Sequence, residues 1–246
     1  MSNSPFVSVL IPAKNEAQNL PTLLQEVRQA LAGEDFEVIV VDDGSTDGSA
    51  ALLQSMQREG YSQLRVLVHD RSLGQSTSIY HAAEAARGTW LATLDGDGQN
   101  DPADIPGMLA LVRAADCPAN LKLIAGHRVK RRDSASKRWA SRFANRLRAK
   151  LLNDHTPDTG CGLKVIERQA FLQLPYFDHM HRYIPALIQR HKGAMRVHPV
   201  NHRPRSAGVS KYGNIDRALV GILDLFGVWW LIRRTRLDAV PRELEH

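Results

Sequence analysis

The sequence predicts an α/β protein built on a doubly wound, mostly parallel sheet with helices on both faces. Two observations carry that expectation: short apolar runs alternate with longer stretches of helical apolar spacing, and each run ends in a polar loop rich in Asp, Gly, Asn and Ser. Phe6 to Ile11, Phe36 to Val41, Leu64 to Val68, Trp90 to Leu94 and Leu121 to Ala125 read as strands. Between them, Leu20 to Leu31, Gly48 to Arg58, Ser76 to Ala86 and Ile105 to Ala115 read as amphipathic helices, and Leu163 to Ile166 reads as a later short strand. In such sheets ligands sit beyond the carboxyl ends of the strands. The candidates are therefore the loops PAKNE (12–16), DDGSTDGS (42–49), DRSLGQS (70–76) and DGDGQND (95–101).

The last of these is the most pointed. Residues two apart at a strand end face the same way, so Asp95 and Asp97 converge, and two close carboxylates repel unless a proton or cation lies between them. Oxygen-only ligands favour Mg²⁺ or Mn²⁺. Gly96 and Gly98 let the backbone approach a ligand; the plain alternative is a polar turn. Asp42 is placed to accept from a base N–H or a ribose hydroxyl, whereas Thr46 or Asp47 suits a helix cap. No G-x-G-x-x-G follows the first strand and no P-loop pattern occurs, which argues against dinucleotide binding and P-loop chemistry.

The 246 residues carry a net charge of +6, which points to an anionic partner. Cys117 and Cys161 alone give no disulfide framework and fit a reducing cytoplasm. The N-terminus lacks the pattern of a secretion signal, and no stretch reaches the roughly 18–20 apolar residues that span a bilayer. Arg128 to Lys150 holds ten Lys or Arg against one acid, Asp133. Within it, a helix of about 134–152 sets Trp139, Phe143, Leu147 and Leu151 along one stripe among Lys137, Arg138, Arg142, Arg148 and Lys150. That pattern suits a helix lying on anionic lipid, or an amphipathic helix on the core with a solvated basic face. Trp229 and Trp230 beside Arg233, Arg234 and Arg236 repeat the pairing of aromatic and cation that suits a bilayer interface. The expected division is a catalytic domain over 1–214 and an interfacial or oligomerisation helix and tail over 215–246.

With VSVLIPAKNEAQNL (7–20), VIVVDDGSTDGS (38–49), LGQSTSIYHAAEAARG (73–88), DGDGQNDP (95–102) and DTGCGLKV (158–165) in this order, the chain resembles glycosyltransferase family 2. Within that family it is similar to the polyprenyl-phosphate sugar synthases of the dolichol-phosphate mannosyltransferase type, with HRYIP (181–185) and RPRSAGVSKYG (203–213) extending the likeness. The resemblance implies a GT-A fold, a UDP- or GDP-sugar donor, a divalent metal and a polyprenyl phosphate acceptor. By position, Pro12, Ala13, Glu16, Asp42, Asp43, Gly74, Asp95 and Gly96 would hold the donor, and Asp95, Asp97 and Gln99 the metal and diphosphate. Lys14 stands where relatives usually carry an aromatic, which puts base stacking there in doubt.

The chemistry sets further demands. Breaking the sugar C1–O bond leaves negative charge on the diphosphate, which a cation stabilises. A lipid phosphate is already anionic and attacks without a base, so it needs positive charge for positioning. Arg128 and Arg203 are the expected catalytic cations, joined for the acceptor phosphate by Arg132, Lys137, Arg182, Ser210 and Lys211. His181 suits either a phosphate donor or a structural histidine. Asp158 suits either acceptor orientation or a turn cap, and Cys161 suits packing. The expected setting is the cytoplasmic face of the membrane, by peripheral association, as a homo-oligomer or with a separate membrane partner, and no nucleic acid is expected. The rivals are a family 2 transferase with a saccharide or protein hydroxyl acceptor, an aspartyl phosphatase, and a non-catalytic binder of polyanions or lipid.

Overall fold

The computed structural model describes residues 4–129, 148, 151–154, 156–204 and 214–235. Its order is β1 (Val7–Ala13), α1 (Leu20–Ala30), β2 (Phe36–Asp43), α2 (Ser49–Arg58), β3 (Leu64–His69), α3 (Gln75–Ala85) and β4 (Trp90–Thr93). There follow a 3-10 turn (Pro102–Asp104), α4 (Ile105–Arg113), β5 (Leu121–Arg128), β6 (Lys164–Glu167), α5 (Arg168–Leu172), a 3-10 turn (Met180–Arg182), α6 (Ile184–Arg190), β7 (Ala194–Val200) and α7 (Asn214–Arg233). The sheet order is β3-β2-β1-β4-β6-β5-β7.

Period-two alternation on the strands builds two cores. Val7, Val9, Ile11, Val38 and Val40 face α1, α2 and α4, while Leu10, Ile39 and Val41 face α3, α5, α6 and α7. Helices on both faces of an α/β sheet are what the alternating pattern predicts. Each helix adds its own stripe: Leu20, Leu23, Leu24 and Val27 of α1 are buried on one side, Ile79, Ala82 and Ala83 of α3 on the other.

Several strands run further than their apolar cores. β2 reaches Asp43 and β5 reaches Arg128, so an acidic and a basic residue stand at strand ends on the carboxyl edge. β1 includes Pro12, which its β4 neighbour tolerates because their pairing stops at Leu10 opposite Thr93.

One strand departs from parallel. β6 pairs antiparallel with both β4 and β5, with Lys164 opposite Thr93 and Ala125. In a parallel strand the loop after it reaches the carboxyl edge; in a reversed strand the loop before it does. That reversal delivers residues 158–163 to the edge where β4 ends. β7 was not legible as a strand, because Arg196, His198 and Pro199 interrupt its apolar residues at an edge of the sheet.

Candidate active site

The loops after β1 and β2 are laced together by their own polar groups. Asn15, at φ 55°, donates its backbone N–H to Ser45 Oγ (2.8 Å) and accepts at Oδ1 from Thr46 N (2.7 Å). Asp47 accepts from Ala17 N (3.0 Å) and from Ser49 N (3.1 Å), so it ties the two loops just ahead of α2, whose N-cap position is Gly48. Thr46 takes part through its backbone. Glu16 accepts from Asn19 Nδ2 at 2.6 Å. Asp42, opposite Ala13 in register and almost wholly buried, uses one oxygen to accept from Ser45 N (3.1 Å).

Asp43 is engaged by the protein itself. Its carboxylate accepts from Ser72 Oγ (2.7 Å), Leu73 N (2.7 Å) and Gly74 N (3.0 Å), and lies 2.8 Å from His69 Nδ1. Burial alone would raise its pKa, but these hydrogen bonds outweigh burial and hold it below the ordinary value. Asp43 therefore fixes the loop that presents Gly74 and α3.

Asp95 and Asp97 follow β4 at the same edge. The loop is pressed against β1: a Cβ on Gly96 would lie 3.0 Å from Pro12 O and 3.4 Å from Ala13 Cα. Asn100 Oδ1, buried, accepts from Asp95 N (3.0 Å), and Gln75 Nε2 donates to Asp95 Oδ1 (2.8 Å). On the far side a Cβ at Gly162 would sit 2.2 Å from Asp95 Oδ2, so only glycine fits there. Asp97 Oδ1 accepts from Gln99 N (3.1 Å). Burial, and after it the Asp97 charge, push the Asp95 carboxyl up. Asp95 and Asp97 offer carboxylate oxygens, the hard donors that divalent cations prefer, while the Gln99 side-chain amide donates to Arg203 O at 3.5 Å.

Lys164, buried at the start of β6, donates to Cys161 O and, at 3.5 Å, to Thr159 O. Burial lowers its pKa while Cys161 and Asp95 oppose that shift, and its charge in turn favours ionised Asp95. Cys161 itself is core packing, as expected.

The expected catalytic cations are otherwise engaged. Arg128 grips Asp158 through Nε (2.6 Å) and Nη2 (2.7 Å). Asp158 accordingly is neither a free acceptor ligand nor a simple turn cap, but the partner that anchors Arg128 beside Gly160. Arg203 divides its guanidinium between Glu26 (2.7 Å) and Asp101 (2.6 Å). Arg203 thus braces α1 against the loop after β4, and its backbone pairs with Gln99. Arg182 shares the part-exposed 3-10 turn with His181. Arg132, Lys137, Ser210 and Lys211 lie outside the described residues, as does most of the basic helix of about 134–152. Its Arg148 is described and is buried on Asp154 (2.8 Å), which corrects its expected place among the exposed cations of that helix, whether on lipid or in solvent.

Sequence reasoning did not single out Gln75, Asn100, Gly162 or Lys164, although each lies in or beside a motif quoted for the site. The signal available for Gly162 was its place between Cys161 and Leu163, a glycine within a buried run.

A mostly parallel sheet with one reversed strand sets the two carboxylates at its carboxyl edge, where open α/β sheets bind their ligands, and this is the GT-A type of architecture. The chain belongs to glycosyltransferase family 2: the family model "Glycosyl transferase family 2" matches residues 8–174. It is 35% identical over 233 residues to a dodecaprenyl-phosphate galacturonate synthase of Rhizobium johnstonii, covering 92% of this chain and 67% of that protein. It is 33% identical to an undecaprenyl-phosphate 4-deoxy-4-formamido-L-arabinose transferase of Shewanella sediminis, covering 86% and 63%. The chain thus spans roughly two thirds of the length of these relatives. In fold it is similar to a Pyrobaculum calidifontis mannosyltransferase in complex with GDP-Man and Mn²⁺ (TM-score 0.66, 19% identity, 96% of this chain and 66% of that one). It is also similar to glucosyl-3-phosphoglycerate synthase of Mycobacterium tuberculosis in complex with Mg²⁺ and UDP (0.67, 16%, 93% and 79%).

Proposed function

We propose that the chain transfers a sugar from a UDP- or GDP-sugar to a polyprenyl phosphate at the cytoplasmic face of a membrane, with Mg²⁺ or Mn²⁺ bound at Asp95, Asp97 and Gln99. The observation that carries this reading is the pair Asp95 and Asp97 at the carboxyl edge, packed against Pro12 and Ala13 and opposed by mutual repulsion. The relatives named for polyprenyl phosphates support the acceptor.

When bound, the cation supplies charge stabilisation to the leaving diphosphate. The chain's residues do the rest. Pro12, Ala13, Asp42 and Gly96 form the wall on which the nucleoside lies, and Asn100, Gln75 and Gly162 hold Asp95 in one orientation. A phosphate oxygen of the acceptor forms the new bond to C1 from the face opposite the diphosphate, and the C1–O electron pair leaves with the diphosphate, inverting C1. The acceptor is already an anion, so the step requires no base. With Arg128 and Arg203 held by carboxylates, Arg182, Arg132, Lys137 and Lys211 are the cations proposed to meet the acceptor phosphate.

The exposed face of α7 supports the membrane setting. Ile222, Leu223, Phe226 and Trp230 point outward while Leu225 and Val228 pack on the core, and Arg233 and Arg234 lie over Trp229 and Trp230. Among the described residues no helix is long and apolar enough to cross a membrane.

The test mixes the protein, Mg²⁺ or Mn²⁺, undecaprenyl phosphate in detergent and labelled UDP- and GDP-sugars, then counts label extracted into organic solvent. Metal-dependent label that falls at least about a hundredfold in Asp97→Asn is expected. Nucleotide binding without transfer to lipid from any donor would move the acceptor to a saccharide or protein.

A further inference from the structure

The segment 176–183 meets the first turn of α3 through two side-chain hydrogen bonds and one close approach. Tyr176 Oη and Thr77 Oγ1 are 2.7 Å apart, a Cβ on Gly74 would lie 3.7 Å from Asp178 Oδ1, and Ser76 Oγ is 2.7 Å from His181 Nδ1. Ser76 is buried, and its hydroxyl also receives the His181 backbone N–H at 3.4 Å. In either tautomer the bond between the hydroxyl and Nδ1 ties Ser76 to the His181 ring. Burial, with Arg182, Lys164 and His179 adding to it, brings the His181 pKa down to about 3, so the imidazole is neutral throughout the working range. It serves neither as a cation nor as a base near neutral pH.

Between Gly74 and Ser76 stands Gln75, whose exposed side chain reaches Asp95 Oδ1. A long exposed side chain holds a carboxylate in one orientation only if its backbone is fixed, because its own rotamers are free. Asp43 fixes one side of that turn through Leu73 N and Gly74 N, and the Ser76 to His181 bond fixes the other.

We propose that His181 is a positioning residue for the metal carboxylate, acting through Ser76 and Gln75 to hold Asp95 in its binding orientation. This rests on the metal reading above. It gives His181 a duty at Nδ1, whereas a phosphate donor would act through Nε2. The two duties separate by substitution, since an Asn amide reproduces a hydrogen-bonding group near Nδ1 and a Gln amide reproduces one near Nε2.

The experiment titrates Mn²⁺ by electron paramagnetic resonance into the wild-type chain and into Gln75→Ala, Ser76→Ala, His181→Asn, His181→Gln and the double variant Ser76→Ala/His181→Gln. Circular dichroism melts identify any variant that fails to fold, and Gln75→Ala, an exposed change, tests the last link independently of the buried pair. Expected are about tenfold weaker Mn²⁺ binding in Gln75→Ala, Ser76→Ala and His181→Gln, near wild-type binding in His181→Asn, and a double variant no weaker than its singles. Wild-type affinity in folded Ser76→Ala and His181→Gln overturns the inference alone, as does rescue by Gln in place of Asn. A wild-type chain that binds no Mn²⁺ overturns the metal reading and this inference together.

Discussion

Gly162 leaves no room beside Asp95, and the consequence is measurable. In Gly162→Ala the new methyl would overlap Oδ2, so the carboxylate must turn away, and a displacement near 1 Å at a reacting centre costs about a hundredfold in rate. Transfer assays beside a thermal melt check it: kcat should fall far more than stability. Asp43 makes the opposite prediction. Asp43→Asn should lose about 2 kcal/mol by urea denaturation at neutral pH, since an amide cannot accept from all the groups that converge there. Asp43 and Glu37 both have lowered folded pKa values; in Glu37, burial opposes the shift and is outweighed by Arg87 N, Arg65 and Ser8. A lowered carboxylate stabilises the fold above its ordinary value, 3.8 for Asp and 4.5 for Glu, and that stability is lost as pH falls through the folded value. Wild-type stability should therefore drop below about pH 4, and less steeply in Asp43→Asn. At this scale Asp95 and Asp97 were legible because spacing alone places them. The engagement of Arg128 and Arg203 was not, since their partners stand 30 and 177 positions away and no local pattern announces them.

Among the elements, the first four strands and helices were legible because each carries its own period, undisturbed by tertiary contacts. β6 was legible as a strand while its direction was not: orientation depends on which neighbours it joins. α7 presents apolar residues on two sides, one met by the core and one outward. Leu223→Glu/Phe226→Glu should abolish sedimentation with anionic vesicles while leaving the melting temperature within a few degrees, because both side chains are exposed. Retained binding would remove this helix from the membrane contact.

Across the whole molecule, the net charge of +6 should make vesicle binding depend on salt, with affinity falling as ionic strength rises through about 0.15 M, where screening acts over about 8 Å. Co-sedimentation across a salt series checks this, and binding that ignores salt would assign the contact to apolar burial alone. The α/β architecture was readable from the order of the motifs; the pairing of distant loops was not, because packing decides it. The reversal of β6 has a bearing on how such a chain diversifies. The excursion that leaves the sheet at Arg128 and rejoins it at Lys164 has both ends at the same edge, close to the grip of Arg128 on Asp158. Lengthening a loop whose ends are already held costs little, about 0.6 kcal/mol per doubling. Chain inserted between those two held ends therefore lengthens the excursion without touching β1, β2 and β4, which carry Pro12, Asp42 and the loop of Asp95.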